Sequence, residues 1–339
     1  MNNKVTTIAS LKGLKGWLIY SIVIFHVFGS KGILTNVFLP FKLYGGYLGN
    51  YTFFMLSGFL TAHSFSYNGI SERSFFPYLV SKLVRFWPLY ALCNLWQVGF
   101  LVYDSGFASI DISRLLLSLI MQTGGASTDM YPYVVPGWFL CTLMVCFVIN
   151  YFVCYICKTN RKYYIWFSLG LFLWGIFLLN ANLNLPFCYV HDGEGITCFF
   201  GGSILYEIYH FIRKYRFVLY VLSFLSAICL TLNSLFIIRD IRFLFIFFIA
   251  PSLILLSIEE KMITNILSCG LSQFLGGISM SVYLLHYISP LVYIPNAFSH
   301  YTVGFAVYIL IIIIVSWVVT KISSYRLLKK IPFVSKVIR

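Results

Sequence analysis

A chain of 339 residues with 60% hydrophobic and only 10% charged side chains cannot be wrapped in water; a soluble chain carries about a quarter charged residues. A mean hydropathy of +0.87 and 19% aromatics instead suit a bilayer with Trp and Tyr belts at both interfaces. The net charge of +14 does not imply a nucleic-acid partner, because the basic residues lie in short stretches between apolar runs, where they orient membrane segments.

A membrane span needs roughly 17 to 25 mostly apolar residues. Candidates fall near 14–30, 44–63, 86–103, 112–124, 136–157, 163–180, 196–212, 217–238, 241–258, 271–294 and 302–322. The first follows Lys4, Lys12 and Lys15 but carries Tyr20 and His26 and is followed by no small-x-small cleavage site. It reads as a retained helix rather than a leader. The stretch 112–124 is short and runs into Gln122-Thr123-Gly124-Gly125, which reads as an interfacial or re-entrant piece. Ten spans remain, and the fold class expected is all-α and polytopic.

Charge fixes the expected orientation. With ten spans and a cytoplasmic N-terminus, 19 of the 24 Lys and Arg fall inside, and only Lys31, Lys42, Arg114, Arg239 and Arg242 fall outside. Counting 112–124 as a span would reverse every later loop and spoil that bias. Both termini are therefore expected in the cytoplasm. No repeat or linker is visible, so residues 1–339 read as one domain. The longest outer loop is about 104–135.

The nine cysteines suggest no disulfide framework. Cys93, Cys141, Cys146 and Cys229 lie in apolar segments, where a free thiol acts as a small hydrophobe. Cys154 and Cys157 form a CxxC without a second pair, so no metal site is expected. A bridge between Cys188 and Cys198 is not expected either.

Several polar residues stand out against this background. Lys15 and His26 are eleven positions apart, about 16 Å along a helix, which sets Lys15 at the inner interface and His26 near mid-membrane. An ionisable residue there is expensive and usually functional, and a neutral imidazole can take and return a proton. His286 sits at a similar depth, one turn from Tyr283; it either lines the same cavity or makes structural hydrogen bonds. His63 reads as an interface residue. Glu207 is expected to pair with Arg213 or to face the interface. His191, Asp192 and Glu194 in an outer segment either touch a ligand or are merely solvated. Trp138 opens a span as a belt tryptophan or as a sugar-stacking platform. Ser57 precedes Gly58, where a helix or a cofactor arm could pass closely; no GxSxG elbow surrounds it, so it is not read as a nucleophile.

In order along the chain, these strings resemble the acyltransferase-3 family of membrane O-acyltransferases. Lys15 and His26 resemble its Arg-x10-His signature, with Lys in place of Arg. Gly45-Gly46 and Phe53-Phe54-Met55-Leu56-Ser57-Gly58-Phe59-Leu60 are similar to its second-helix signature. Lys82-x-x-Arg85-Phe86-Trp87-Pro88 resembles its Arg-x-x-Arg-hydrophobic-aromatic-Pro motif. Trp138-Phe139-Leu140 matches a WFL element, and Phe274 to His286 resembles its late helix motif. One departure is that Leu140-Cys141-Thr142-Leu143-Met144 lacks the acidic residue that some members carry after that tryptophan.

The resemblance implies transfer of an acetyl or other short acyl group from cytoplasmic acyl-CoA to a hydroxyl of a cell-surface polysaccharide or its lipid-linked precursor, in the bacterial inner membrane. On that reading acetyl-CoA is the donor, with no metal. Lys15, Lys82 and Arg85 are expected to hold its phosphates, with Ser57 nearby. Lys82 and Arg85 suit this, since they share one helical face at an inner helix end; plain interfacial anchoring is the other reading. His26 is expected to act as base or as acyl carrier, with His286 as a second catalytic candidate and Trp138 and Tyr283 as acceptor contacts. Two other classes of polytopic protein share this composition. A flippase or transporter should show internal repeats, which are not visible, and a glycan polymerase should carry larger outer loops.

Overall fold

The computed structural model describes residues 2–28, 39–68, 74–158, 160–181, 183–234 and 241–322. Lys31, Arg239 and the basic tail beyond 322, all part of the charge tally, lie outside the described residues. The described residues contain helices and loops and no strand.

The helices are α1 (Asn2–Phe28), α2 (Leu39–Asn68), α3 (Phe75–Ser105), α4 (Ile112–Leu119), α5 (Trp138–Cys157), α6 (Arg161–Ala181), α7 (Val190–Lys214) and α8 (Arg216–Ser234). They are followed by α9 (Arg242–Glu259), α10 (Lys261–Ser268), α11 (Gly270–Leu285) and α12 (Tyr301–Ile322). Long helices thus run through the described parts of most segments read as spans, whereas in 271–294 the helix ends at Leu285 and a 3-10 turn begins at Leu291. Among the described residues four are long and apolar enough to cross a bilayer: α5 with its preceding turn, α6, α9 and α12. The pair α10–α11, bent by 64°, makes a fifth if it is one broken span. Part of the stretch 259–270, expected as a loop, is therefore the helix α10.

Local physics explains several of these elements. The eight residues of α4 cover about 12 Å at 1.5 Å rise, far short of a ~30 Å hydrocarbon core, so this helix does not span. Asp111 caps it by accepting from the Arg114 N–H at 3.1 Å, and its Ile112, Leu116 and Ile120 are exposed, as a helix lying along an interface would leave them. In α9 the five residues Phe245–Ile249 are π-helical. Pro251 follows, and proline has no N–H and crowds the carbonyl four residues back, a recognised cause of such widening. Burial also ranks the helices: the apolar window of α5 is 67% buried, against 22% for α12, so α5 is a core helix and α12 a peripheral one.

The chain clusters into two compact units interleaved along the sequence. The first comprises Met1–Asn68, Arg161–Trp174 and Ile196–Ser279, and the second Gly69–Asn160, Gly175–Gly195 and Met280–Arg339.

In the first unit α1 packs on α2 and α10, and α2 crosses α7 at very close range. A Cβ at Gly58 would collide with the Phe199 carbonyl, and one at Gly202 would collide with the Met55 carbonyl. Two glycines thus let the two backbones touch, the small-residue packing that membrane helices use in place of a hydrophobic drive. At one end of this unit Arg161 reaches Glu207 with Nη2 at 2.6 Å and Nε at 3.1 Å. Arg213 pairs with Glu259 at 3.5 Å. The expected Glu207–Arg213 pair does not form, because six helical residues set the two side chains about 120° apart around α7.

In the second unit Asn94 of α3 is a buried staple. Its Nδ2 donates to the Tyr90 carbonyl at 2.9 Å and its Oδ1 accepts from the Val134 N–H at 3.1 Å. The Tyr283 hydroxyl donates to the Pro136 carbonyl at 2.6 Å, so the turn ahead of α5 is held from both α3 and α11. Gln97 clamps Ser289, donating to its Oγ at 3.1 Å and accepting from its N–H at 3.0 Å. The eight cysteines described, Cys188 and Cys198 among them, are free thiols.

Candidate active site

Three of the expected site residues belong to the first unit. Lys15 and His26 lie on α1, half-buried. Eleven residues at 100° each bring the chain back to within about 20°, so both side chains share one face of the helix. The His26 ring meets Phe25 edge-on, with centroids 5.0 Å apart. Ser57, on α2, donates to the Phe53 carbonyl at 2.8 Å, and Thr61 donates to the Ser57 carbonyl at 2.7 Å. Its neighbour Gly58 meets a helix, α7, which takes the place left open for a cofactor arm.

The remaining expected residues belong to the second unit. Lys82 and Arg85 sit three residues apart on α3. The Lys82 ammonium lies over the Phe147 ring at 4.4 Å from its centroid and 5.2 Å from that of Tyr78. Arg85 is exposed, its guanidinium 5.4 Å from the Phe86 centroid. Aromatic faces stabilise both cations and restrict where they reach. An exposed guanidinium with five donors, next to an ammonium, is a donor set that fits phosphate.

Trp138, Tyr283 and His286 form a connected group at the start of α5. Phe139 meets the Tyr283 ring with centroids 5.4 Å apart, and Tyr283 meets His286 at 6.0 Å. His286 is fully buried, and its Nδ1 lies 2.7 Å from the Tyr283 carbonyl. A carbonyl only accepts, so Nδ1 carries the proton. The Tyr308 hydroxyl donates to the His286 carbonyl at 2.6 Å. The hydroxyl of Tyr283 is engaged by Pro136, so in this geometry Tyr283 acts on α5 and its leading turn.

Trp138 is buried. One face of its indole is covered by His191, centroids 4.1 Å apart and planes 23° from parallel. His191 is also bonded at both nitrogens: Nδ1 lies 3.0 Å from Glu194 Oε2 and Nε2 lies 2.8 Å from the Tyr131 hydroxyl. Sequence reasoning singled out His191, Asp192 and Glu194 but missed Tyr131, which is sixty residues from His191 and carries no local signal.

The loop that delivers Tyr131 is built deliberately. Gly124 and Gly125 both have positive φ, +66° and +112°, which other residues adopt only at a cost. Their N–H groups donate to the carbonyls of Met130 and Thr128. Arg114 donates to the carbonyls of Tyr131 and Pro132 at 2.8 and 3.2 Å, and stacks on Tyr133. Asp192 is fully buried. Its Oδ2 accepts from the Tyr189 N–H at 3.1 Å, and burial pushes its carboxyl up to about 8.

No group of three or more His, Cys, Asp or Glu among the described residues is arranged to hold a metal ion. Residues 8–321 match a family model described as an acyltransferase domain, Acyl_transf_3. Neither the comparison with curated proteins nor that with solved structures finds a match.

Proposed function

The chain belongs to the acyltransferase-3 family, and from that premise we propose that it moves an acetyl or other short acyl group from cytoplasmic acyl-CoA to a sugar hydroxyl of a cell-surface polysaccharide or its lipid-linked precursor. The carrying observation is the family match over nearly the whole chain, together with His26 standing on the same face of α1 as Lys15.

In this reading His26 supplies the chemistry. The oxygen of the acceptor hydroxyl forms a bond to the acyl carbonyl carbon as its proton passes to the imidazole. The carbon–sulfur bond of the thioester breaks, and the sulfur takes a proton. Alternatively the imidazole carries the acyl group itself between the two partners. Of the cations expected to meet the donor's phosphates, Lys82 and Arg85 stand three residues apart on α3, Arg85 with its planar fork and Lys82 as a point charge. The bacterial inner membrane, with both termini cytoplasmic, is the location that this reading requires.

The test is release of free CoA thiol from acetyl-CoA by purified protein, combined with NMR of surface glycan from cells with and without the chain. Acyl esters that vanish with the gene, and thiol release that depends on a sugar, support the proposal. A flippase or polymerase would leave acetyl-CoA intact.

A further inference from the structure

We propose that the open groove beside Gly170 on α6 is a binding site for an anionic glycerophospholipid of the cytoplasmic leaflet, with an acyl chain in the groove and the phosphate held at Lys162 and Tyr163. The inference goes beyond acyl transfer and requires only that the chain lies in a membrane.

The groove is lined by Trp166, Phe167, Gly170 and Leu171 and has a volume of about 370 Å³. All four residues belong to the first unit. The helix α6 has two unlike faces. One carries Tyr164 and Ser168, which are buried, and the Tyr164 hydroxyl donates to Ser203 Oγ of α7 at 3.3 Å. The other carries Tyr163, Trp166, Phe167, Gly170 and Trp174, all exposed. Steps of 100° per residue set these within about 60° of Gly170.

Gly170 needs an explanation from outside the chain, because glycine weakens a helix interior. At Gly58 and Gly202 touching backbones require it, whereas a Cβ at Gly170 meets nothing within 4 Å. The flanks of the gap select what fills it. Close helix pairing in a membrane uses small residues four apart. The residues four before and four after Gly170 are Trp166 and Trp174, 69% and 44% exposed. Two such rings hold a second helix off, but leave between them a slot that a slender hydrocarbon chain can enter.

The start of α6 selects the headgroup. Tyr163 stands about 10 Å and Lys162 about 12 Å from Gly170 along the helix, toward the end that the charge bias sets in the cytoplasm. Both side chains are exposed. A phenol and an ammonium at that depth suit the headgroup region and can donate to a phosphate. No acidic residue on α6 opposes an anion there. Arg161 and Lys162 both stand in the first turn, where the helix dipole already favours negative charge. Arg161 has its anion, since it bonds Glu207 of α7, and nine residues of rotation put it on the opposite side of the helix from Gly170. On the groove side, Lys162 and the helix start together favour a phosphate from the lipid. A zwitterionic lipid brings its own cation to the same place, so a lipid of net negative charge fits better.

The experiment uses the full chain, purified in detergent and stripped of lipid, with dioleoyl phosphatidylglycerol and dioleoyl phosphatidylcholine as probes. Native mass spectrometry reads retained lipid, and thermal unfolding reads the stabilisation that binding confers. Wild-type protein is expected to hold phosphatidylglycerol about fivefold more tightly than phosphatidylcholine, the worth of one lysine near an anionic headgroup, and Lys162→Gln to remove that preference. Gly170→Leu fills the groove and is expected to cost one retained lipid per chain. Without lipid its unfolding temperature should be no lower than that of wild type, because the first atom of the new side chain meets no neighbour and leucine favours a helix over glycine. Equal affinity of wild-type protein for the two lipids overturns the site, as does lipid retention that either variant leaves unchanged. Competition by glycerol 1-phosphate alone overturns it in favour of a soluble phosphate, and tighter binding of a polyprenyl phosphate in favour of a carrier lipid. A wild-type dimer in light scattering that Gly170→Leu dissociates, with lipid retention intact, overturns it in favour of a second copy of the chain.

Discussion

The Tyr283 hydroxyl separates two roles that sequence alone leaves open. Tyr283→Phe removes one oxygen and conserves the ring, so the edge-on contact with Phe139 at 5.4 Å survives and only the 2.6 Å bond to the Pro136 carbonyl is lost. That bond is buried at both ends. Losing the donor forfeits the net value of a hydrogen bond and leaves a carbonyl short of a partner in an apolar setting, about 1–3 kcal/mol in all. The staple by Asn94 remains, at 3.1 Å from the Val134 N–H, so the turn ahead of α5 loosens without detaching, which favours the low end of that range. At about 2–4 °C per kcal/mol, thermal unfolding in nanodiscs should begin several degrees earlier. Acceptor KM, measured per folded molecule, should change by less than threefold. The reasoning is refuted if Tyr283→Phe leaves the unfolding temperature unchanged while acceptor KM rises tenfold, because the hydroxyl would then serve a ligand and not Pro136.

Other expectations follow from the same geometry. His26→Ala should cut acyl transfer per folded molecule by roughly 10² to 10⁴, whereas His286→Ala, which removes a buried ring bonded to the Tyr283 carbonyl, should lower stability first; near-normal turnover in His26→Ala defeats the mechanism. Arg85→Ala should weaken acyl-CoA binding by about 1.5–3 kcal/mol, the value of a charged hydrogen bond, measured by calorimetry, with a smaller penalty for dephospho-CoA; unchanged affinity returns Arg85 to plain anchoring. Cys269 is exposed, alone among the described cysteines, so a membrane-impermeant maleimide should label it in inside-out vesicles and spare it in intact cells, and the opposite pattern breaks the ten-span orientation. Asp192 is held above its ordinary value by burial, from 3.8 to about 8, so folding takes up a proton across that window and stability falls as pH rises through it. Asp192→Asn should flatten the decline in unfolding temperature between pH 5 and 8, and an equally steep decline in the variant would show that another group is responsible.

How much was legible beforehand differs from element to element. Apolar length and charge placement are local properties, so the sequence alone marked the long helices, and the short length of 112–124 told against a span there; α4 is only eight residues long. The ordered strings from Lys15 to His286 are equally local, and they carried the family, which the match over residues 8–321 supports. Pairings were not legible. Nearness in sequence leaves Glu207 to Arg213 or to the interface, but helical rotation parts the two and Arg161 arrives from α6. Gly58 left room for either a helix or a cofactor arm, and only the fold shows that it is α7 that comes against it. Tyr131 gave no sign of its role, because only the two left-handed glycines and Arg114 bring it to His191. Hydropathy and motif order follow from how each stretch meets lipid or the helix period. Which polar atoms meet depends on helix rotation and loop closure over tens of residues, and only the tertiary structure decides that.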